Sequence, residues 1–328
     1  MIEIAEVFHP NDRALVTLMQ QCGLHHAVAG FSLHPIAKAD PDRQPWSFMS
    51  LARMKSAYND AGFELSVLET RPPMEKTKLG LPGRDEEIEV VKELIRNMGR
   101  LGLPVWCYEF MPTVTVVRTS TTIPTRGGAR ATGYNHALME NAPLTEVGVI
   151  PESQVWDALK YFLEQVVPVA EEYNVKLAAH PDDPPLSPIR GIARVLRSIE
   201  NYQKLLDLVP SPVNGIGLCQ GNFTLMTDDL PGAIRHFGSQ KKVFFVHFRD
   251  VRGTPDHFEE TFHDDGKTDL LACLQAYKDI GFDGVCRADH YPLMEGESEG
   301  PGGGLRIARL FAIGYIKGLR EAVYGSRG

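Results

Sequence analysis

The 328-residue sequence predicts an α/β protein folded as a single (β/α)8 TIM barrel that spans residues 1–328. Short apolar runs alternate with longer segments in which apolar residues recur at helical spacing, which is typical of βα units and a parallel sheet. Eight such runs occur, and eight βα units in about 250 residues or more are typical of this barrel. A doubly wound sheet is the main alternative, but no G-x-G-x-x-G motif follows the first strand.

The predicted strands are short and rich in β-branched, aromatic and small apolar residues. In chain order they cover residues 3–8, 26–31, 64–69, 105–110, 175–180, 216–220, 243–248 and 284–289. Helices are predicted between them, most clearly at 85–102 and 151–173. The second helix begins with Pro151 and an acidic residue, and its apolar side chains recur at helical spacing. They are Val155, Trp156, Leu159, Phe162 and Val166.

Composition disfavours several kinds of partner. The formal net charge is −8 and no run rich in lysine and arginine occurs, so neither nucleic acid nor an anionic membrane is the expected partner. The sequence has no apolar stretch of roughly 20 residues and no signal-peptide pattern at its start, so we expect a cytoplasmic protein. Five widely spaced cysteines do not suit a disulfide framework. A small polar substrate fits this composition better.

Four potential metal ligands stand at or near the C-terminal ends of four consecutive predicted strands. They are His180, Cys219, His247 and Asp289. A TIM barrel carries its active site at these strand ends, and two imidazoles, a thiolate and a carboxylate are good ligands once deprotonated. Each residue alone has a structural explanation, as a buried histidine, a small buried cysteine or a helix cap. Their recurrence at equivalent positions favours a metal site.

Side-chain alternation brings two arginines toward the same site. Arg249 lies two residues after His247, and Arg287 lies two residues before Asp289, so each pair should point to one side of its strand. Either arginine could bind a substrate carboxylate through two hydrogen bonds. An arginine buried in the barrel for structural reasons would instead need a carboxylate partner of its own.

Two further polar residues belong to the same end of the predicted barrel. Glu69 ends the third strand and is a candidate for substrate binding, with a solvated charge as the alternative. His290 follows the eighth strand and is a candidate acid or base, with a hydrogen bond at the rim as the alternative.

The longest segment without a regular pattern is the βα loop at about 111–150, after the fourth strand. Loops of this length are usually functional lids or disordered. Three of its residues could approach an anionic substrate, and an exposed polar loop or an oligomer contact is an equally good interpretation. They are Arg126, Arg130 and His136.

Several segments resemble the mannonate dehydratase family, whose barrel is similar to that of the xylose isomerase group. The resemblance lies in FLEQVVPVAEEYNVKLAAHPDDPP, GIGLCQGN, VHFRDV, FHDDGKTDLLACLQAYKDIGFDG, RADH and IGYIKGL, and WCYEFMP with VRT extends it into the first half. It implies a xylose isomerase-like barrel in which the four predicted ligands hold a divalent metal, usually manganese. By ligand chemistry a thiolate and two imidazoles favour zinc instead, and cobalt and iron are further alternatives. The resemblance also implies catalytic roles for Arg287 and His290.

The chain departs from the family pattern near the eighth strand. The family usually has R-P-D-H followed by a small residue, whereas this chain has RADH followed by the bulky Tyr291. A family P-G-Y segment carries a tyrosine thought to act in proton transfer, and here glycines occupy residues 302–304. Tyr291 is therefore a candidate to supply the catalytic phenol.

The resemblance implies a hydro-lyase of hexuronate catabolism that converts D-mannonate to 2-keto-3-deoxy-D-gluconate and water. Loss of the C2 proton creates negative charge beside the carboxylate, which a metal ion and Arg287 would stabilise while His290 or Tyr291 moves protons. A homo-oligomer is expected. The alternatives are a metal-dependent sugar isomerase or epimerase on the same barrel, or a non-catalytic protein that binds a sugar acid.

Overall fold

The computed structural model describes residues 1–30, 32–38, 40–297 and 306–325, and its centre is a closed barrel of eight parallel strands. All the strands, in chain order, are β1 (Glu3–Val7), β2 (His26–Ala29), β3 (Glu64–Leu68), β4 (Val105–Glu109), β5 (Ser120–Pro124), β6 (Arg130–Asn135), β7 (Lys176–His180), β8 (Asn214–Cys219), β9 (Val243–Phe248), β10 (Val251–Thr254), β11 (His257–Glu260) and β12 (Val285–Ala288). The barrel closes in the order β1–β12–β9–β8–β7–β4–β3–β2. Each of the eight predicted strands overlaps one of these, so the predicted TIM barrel is confirmed.

Helices connect most of the barrel strands, and the two helices predicted most clearly are present as α4 and α5. The described helices are α1 (Arg13–Gln21), α2 (Phe48–Asp60), α3 (Glu75–Leu79), α4 (Arg84–Arg100), α5 (Glu152–Glu172), α6 (Ile199–Leu208), α7 (Gln220–Met226), α8 (Leu230–Ser239), α9 (Leu270–Asp279) and α10 (Arg306–Tyr324). Several start at an Asp or Ser whose side chain accepts a backbone N–H of the first turn, as Asp12 does for α1. None of the helices in the described ranges is long and apolar enough to cross a membrane.

Successive strand residues pack into two different apolar layers, as β4 shows. Val105 and Cys107 belong to the small cluster that fills the barrel interior. Trp106 and Tyr108 face outward instead, with ring centroids 6.5 and 5.7 Å from Phe162 of α5. This alternation follows from the two-residue period of a strand. The interior is therefore packed with apolar side chains, and the polar side chains gather at the C-terminal ends of the strands.

The sequence analysis described residues 111–150 as a loop without a regular pattern, but part of this segment forms regular strands. Its β5 and β6 pair with each other, and β6 also pairs with β11, giving a four-stranded antiparallel sheet in the order β10–β11–β6–β5. β5 has the sequence STTIP and contains no fully buried residue. A strand this polar lacks the alternation that predicts a strand from sequence, and its pairing with β6 defines it instead.

Candidate metal centre and active site

The structure brings the four predicted ligands together at the C-terminal end of the barrel. His180 and Cys219 are the last residues of β7 and β8, and His247 lies one residue before the end of β9. Their ligand atoms all lie within 4.8 Å of one another. Asp289 follows β12 directly, and its Oδ2 lies 3.3 Å from His247 Nδ1. The neighbouring parallel strands therefore present these groups at one level of the barrel.

The hydrogen bonds of the two histidines indicate which ring nitrogens are available to a metal. His180 Nδ1 lies 2.8 Å from the carbonyl oxygen of Pro181, and His247 Nε2 lies 3.3 Å from Glu69 Oε2. The two remaining ring nitrogens, His180 Nε2 and His247 Nδ1, lie 3.2 Å apart. Once deprotonated, both can bind a cation beside the Asp289 carboxylate. A carbonyl oxygen or a carboxylate beside the outer ring nitrogen is typical of metal-binding histidines, so these residues fit a metal ion.

The electrostatics of the cluster also favour bound positive charge. Burial and the nearby Arg287 disfavour a charged His247, yet Glu69 and Asp289 outweigh them and raise its pKa well above the ordinary value. Burial likewise disfavours the Asp289 carboxylate, but Arg287, His290 and His247 hold the pKa of Asp289 well below its usual range. An anionic oxygen beside two imidazoles is a suitable environment for a divalent cation.

Cys219 differs from the other cysteines of the barrel because its thiolate is stabilised. Burial disfavours the thiolate, but the charge of Arg249 and hydrogen bonds from His180 and His247 lower the pKa of Cys219 to about 5. Arg249 Nη1 lies 3.3 Å from Cys219 Sγ. Cys107 lines the cavity beside these groups, yet burial raises the pKa of its thiol well above the ordinary value. Since the thiolate is the form that binds metals, Cys219 is the better ligand.

Arg287 is fixed between two carboxylates at the cavity wall. Its Nε and Nη2 each donate to an oxygen of Glu69 at 2.9 Å, and its Nη1 donates to Asp289 Oδ1 at 2.7 Å. Burial would raise the pKa of Glu69, but Arg287 and His247 hold it well below the usual range. Glu69 thus orients Arg287 and His247 together, and its predicted binding of substrate stays a prediction.

Arg249 has the carboxylate partners that a structural arginine requires. Its side chain is fully buried, with Nε and Nη2 donating to Glu260 and Nη1 donating to Asp183 at 3.0 Å. Arg118 binds the same two carboxylates. These contacts favour a structural role for Arg249, as a buried arginine held by carboxylates. Substrate binding by this residue stays a prediction.

The sequence analysis did not single out Arg118, Asp183 or Glu260. Asp183 lies in the HPDDPP segment and Arg118 in the VRT segment, so both were within stretches that carry the resemblance. No sequence motif pointed to Glu260. It is brought to Arg249 by β11, a strand of the small antiparallel sheet that was not predicted.

A cavity of about 290 Å³ is lined in part by His180, His247 and Asp289. His290 lines it with a side chain that is 32% exposed, and its Nε2 lies 3.6 Å from Asp289 Oδ2. Its Nδ1 lies 3.8 Å from Glu260 Oε1. The lining residues within the described ranges are Glu69, Thr70, Arg71, Cys107, Tyr108, Glu109, Val116, His180, Asp183, His247, Arg287, Asp289 and His290.

The structure places Tyr291 away from this cavity. The residue is half-buried against the hydrophobic core, its ring centroid lies 6.1 Å from that of His263, and burial raises its pKa. Among the described residues that line the cavity, Tyr291 does not occur. A phenol in this position is poorly placed for the predicted proton transfer. The glycines at 302–304 lie outside the described residues.

The three candidates from the segment 111–150 are also absent from the described lining of the cavity. Arg126 donates to both carboxylate oxygens of Asp264 at 2.9 Å and is exposed. His136 Nδ1 lies 2.8 Å from the hydroxyl of Tyr134. Arg130 is exposed, and its backbone pairs with Leu293. These contacts favour the interpretation that the three residues belong to a polar surface.

Comparison with known proteins identifies the family. A family model described as D-mannonate dehydratase matches residues 7–150 and 144–327. The chain belongs to the D-mannonate dehydratase family. A curated mannonate dehydratase of Thermotoga neapolitana is 37% identical to this family member over 318 residues, which covers 86% of this chain and 88% of the relative. The predicted family and the predicted enzyme class, a hydro-lyase, are therefore confirmed.

Solved structures of similar proteins have the same barrel fold. The crystal structure of mannonate dehydratase from Streptococcus suis serotype 2 is similar with a TM-score of 0.86 and 29% identity, over 98% of this chain and 93% of that one. A xylose isomerase domain protein from Planctomyces limnophilus, 12% identical, has a TM-score of 0.64 over 99% of both chains. The second likeness concerns the fold alone, and it confirms the xylose isomerase-like barrel of this dehydratase family member.

Proposed function

We propose that this chain dehydrates a six-carbon aldonate, D-mannonate, to 2-keto-3-deoxy-D-gluconate with the help of a divalent metal. His180, Cys219, His247 and Asp289 would hold the ion. The observation that carries the proposal is the approach of His180 Nε2 to His247 Nδ1 at 3.2 Å, beside a carboxylate and a stabilised thiolate. His180, His247 and Asp289 line the cavity of a barrel from the D-mannonate dehydratase family.

Manganese is the metal we propose for function. Thiolate and imidazole ligands bind zinc well, but an ion that must also accept two substrate oxygens needs an open site with a higher coordination number. The family resemblance points to manganese as well. Zinc acquired during purification is compatible with this choice, because the general affinity order of divalent metals favours zinc over manganese.

The difficulty of the reaction is the negative charge that develops when the C2 proton leaves beside the substrate carboxylate. A bound divalent ion supplies Lewis-acid stabilisation of that charge. Arg287 supplies a second positive charge at the cavity wall, and Glu69 and Asp289 already hold its guanidinium in place. A pre-oriented cation of this kind stabilises developing charge without reorganisation during the reaction.

His290 is the residue we propose for proton transfer. It lines the cavity, it is partly exposed, and its two ring nitrogens face the carboxylates of Asp289 and Glu260. An imidazole that contacts both the cavity and solvent can take the C2 proton or give a proton to the departing C3 hydroxyl. Tyr291 stays the alternative named by the sequence, although its position favours His290.

Product analysis on metal-loaded protein tests the proposed function. Metal-free protein reconstituted with manganese should convert D-mannonate to a 2-keto acid with loss of one water, and Asp289→Asn should remove most of this activity. Ketohexoses assayed in parallel test isomerase or epimerase activity. Turnover of ketohexoses without dehydration would replace the proposal with that alternative, and tight aldonate binding without any turnover would favour a binding protein.

A further inference from the structure

We propose that Arg71 and Glu109 form a subsite that binds the hydroxyl-bearing end of the sugar acid and thereby sets the substrate's chain length. The inference rests on the proposed function, because it takes a sugar acid as the occupant of the cavity. It assigns a specificity-determining role to two residues that the sequence analysis did not select.

The subsite lies on the wall beside the metal-binding groups. In barrel order the four proposed ligands come from β12, β9, β8 and β7, and the next two strands are β4 and β3. Glu109 ends β4 and is the register partner of His180 in the adjacent strand. Arg71 follows β3, where its carbonyl oxygen accepts a hydrogen bond from Leu33. Both side chains line the central cavity, so a substrate bound at the metal would extend toward them.

Of the two arginines in the described cavity lining, Arg71 has an unused hydrogen-bond donor and Arg287 does not. The side chain of Arg287 is 8% exposed, and its nitrogens already donate to Glu69, Asp289 and a backbone carbonyl. The Arg71 side chain is 55% exposed, and its contacts with Glu109 use Nε and Nη2. Within the described ranges, Nη1 of Arg71 has no hydrogen-bond partner. A guanidinium with a free terminal nitrogen can bind a ligand without giving up its ion pair.

The chemistry of the pair favours hydroxyl groups over a second carboxylate. The Glu109 side chain is only 8% exposed and contacts the Arg71 guanidinium directly, so it offsets much of that charge. A hydroxyl group both donates and accepts, and the pair offers an acceptor next to a donor. A site built to bind a substrate hydroxyl discriminates strongly against analogues that lack it, because its polar groups are then left unpaired. The pair would therefore select aldonates long enough to place hydroxyls against β3 and β4.

A chain-length comparison tests the subsite directly. Dissociation constants of D-mannonate and of the three-carbon acid D-glycerate are measured by calorimetry on manganese-loaded wild type and Arg71→Gln. Loss of a hydrogen bond to a charged group should weaken D-mannonate binding by about 10- to 100-fold, and D-glycerate, which reaches only the metal end, should bind as before. In turnover of D-mannonate, KM should rise while kcat changes by only a few fold.

The matched control is Arg235→Gln. Arg235 is 46% exposed and pairs with Asp279 on the outer helices, and neither residue is in the described cavity lining, so its loss should leave both dissociation constants unchanged. Glu109→Gln should change binding in the same direction as Arg71→Gln. Because Glu109 is buried and its variant can fail to fold, Arg71→Gln decides the test by itself.

Two outcomes overturn the subsite: unchanged D-mannonate binding in Arg71→Gln, or equal weakening of the long and the short acid. Either result alongside wild-type dehydration leaves the proposed function intact. Conversely, wild type could prefer the longer acid, lose this preference in Arg71→Gln, and yet show no dehydration. That result would support the subsite and contradict the proposed reaction. A wild-type protein that binds neither acid overturns both.

Discussion

His180 Nε2 lies 3.2 Å from His247 Nδ1, although β8 separates their strands in the barrel. The two imidazole centroids are 4.8 Å apart, and the intervening strand contributes Cys219, whose register partner in β9 is His247. Three consecutive strands thus each present one proposed metal ligand into a space small enough for one ion. The site is a direct consequence of the parallel register at the C-terminal end of the barrel.

The first prediction concerns Cys219 as a metal ligand. Cys219→Ser should lose most of the bound metal while the protein stays folded, because a serine hydroxyl is a poor replacement for a stabilised thiolate. Metal content per chain and circular dichroism measure the two effects. Cys107→Ser is the matched control, since Cys107 is also buried and lies near the proposed ligands but carries a neutral thiol. Full metal occupancy in Cys219→Ser would leave that cysteine as a core residue.

The sequence could predict that His180, Cys219, His247 and Asp289 lie together, for a simple physical reason. A parallel barrel brings the ends of its strands to one rim, so residues that end different strands can be predicted to meet without knowledge of side-chain packing. His180 and Cys219 are the clearest examples, since each is the last residue of its strand. Strand order and the two-residue period together are enough to predict the ligand cluster.

The partners of Arg249 could not be predicted in the same way. Alternation predicted that Arg249 points to the same side as His247, and its Nη1 lies 3.3 Å from Cys219 Sγ. Its partner Glu260, however, comes from β11, in a sheet whose strands are short and partly polar. Arg118 reaches the same carboxylate from the segment before β5. Such contacts depend on tertiary pairing between two distant loops, for which a single sequence contains no periodic signal.

A second prediction concerns the identity of the metal. Protein freed of metal and reconstituted with manganese should dehydrate D-mannonate faster than protein loaded with zinc, although zinc should bind more tightly. The expected reason is that a manganese site more readily accepts additional oxygen ligands from the substrate. Steady-state turnover and competition binding with each ion measure the two properties separately. Equal or faster turnover with zinc would contradict the choice of manganese.

A third prediction separates the two interpretations of Arg249. Arg249→Met removes a fully buried cation and leaves Asp183 and Glu260 with Arg118 as their remaining arginine partner. Breaking a buried ion pair on one side typically costs about 3–5 kcal/mol, so denaturant unfolding of the metal-free protein should show a loss of this size.

The control for that measurement is Arg252→Gln. Arg252 is 47% exposed and pairs with Glu259 and Asp265 at the surface, and such pairs contribute about 1 kcal/mol or less. If Arg249→Met is as stable as Arg252→Gln but binds D-mannonate weakly, the direct substrate contact predicted from the sequence regains support.

The last prediction decides between His290 and Tyr291 as the residue that moves protons. His290→Asn keeps a polar side chain at the cavity wall but removes the acid–base group, so kcat for D-mannonate should fall by about 10²- to 10⁴-fold. Metal content should stay close to that of wild type, because the closest approach of His290 to a proposed ligand is the 3.6 Å contact with Asp289.

Tyr291→Phe should change kcat by only a few fold, because the ring packs against the hydrophobic core and is absent from the described lining of the cavity. Both variants are compared at equal manganese occupancy, so that a loss of metal is not mistaken for a loss of proton transfer. An inactive Tyr291→Phe with an active His290→Asn would transfer the role to the phenol. It would also require Tyr291 to contact the substrate during turnover, although the described lining of the cavity does not include it.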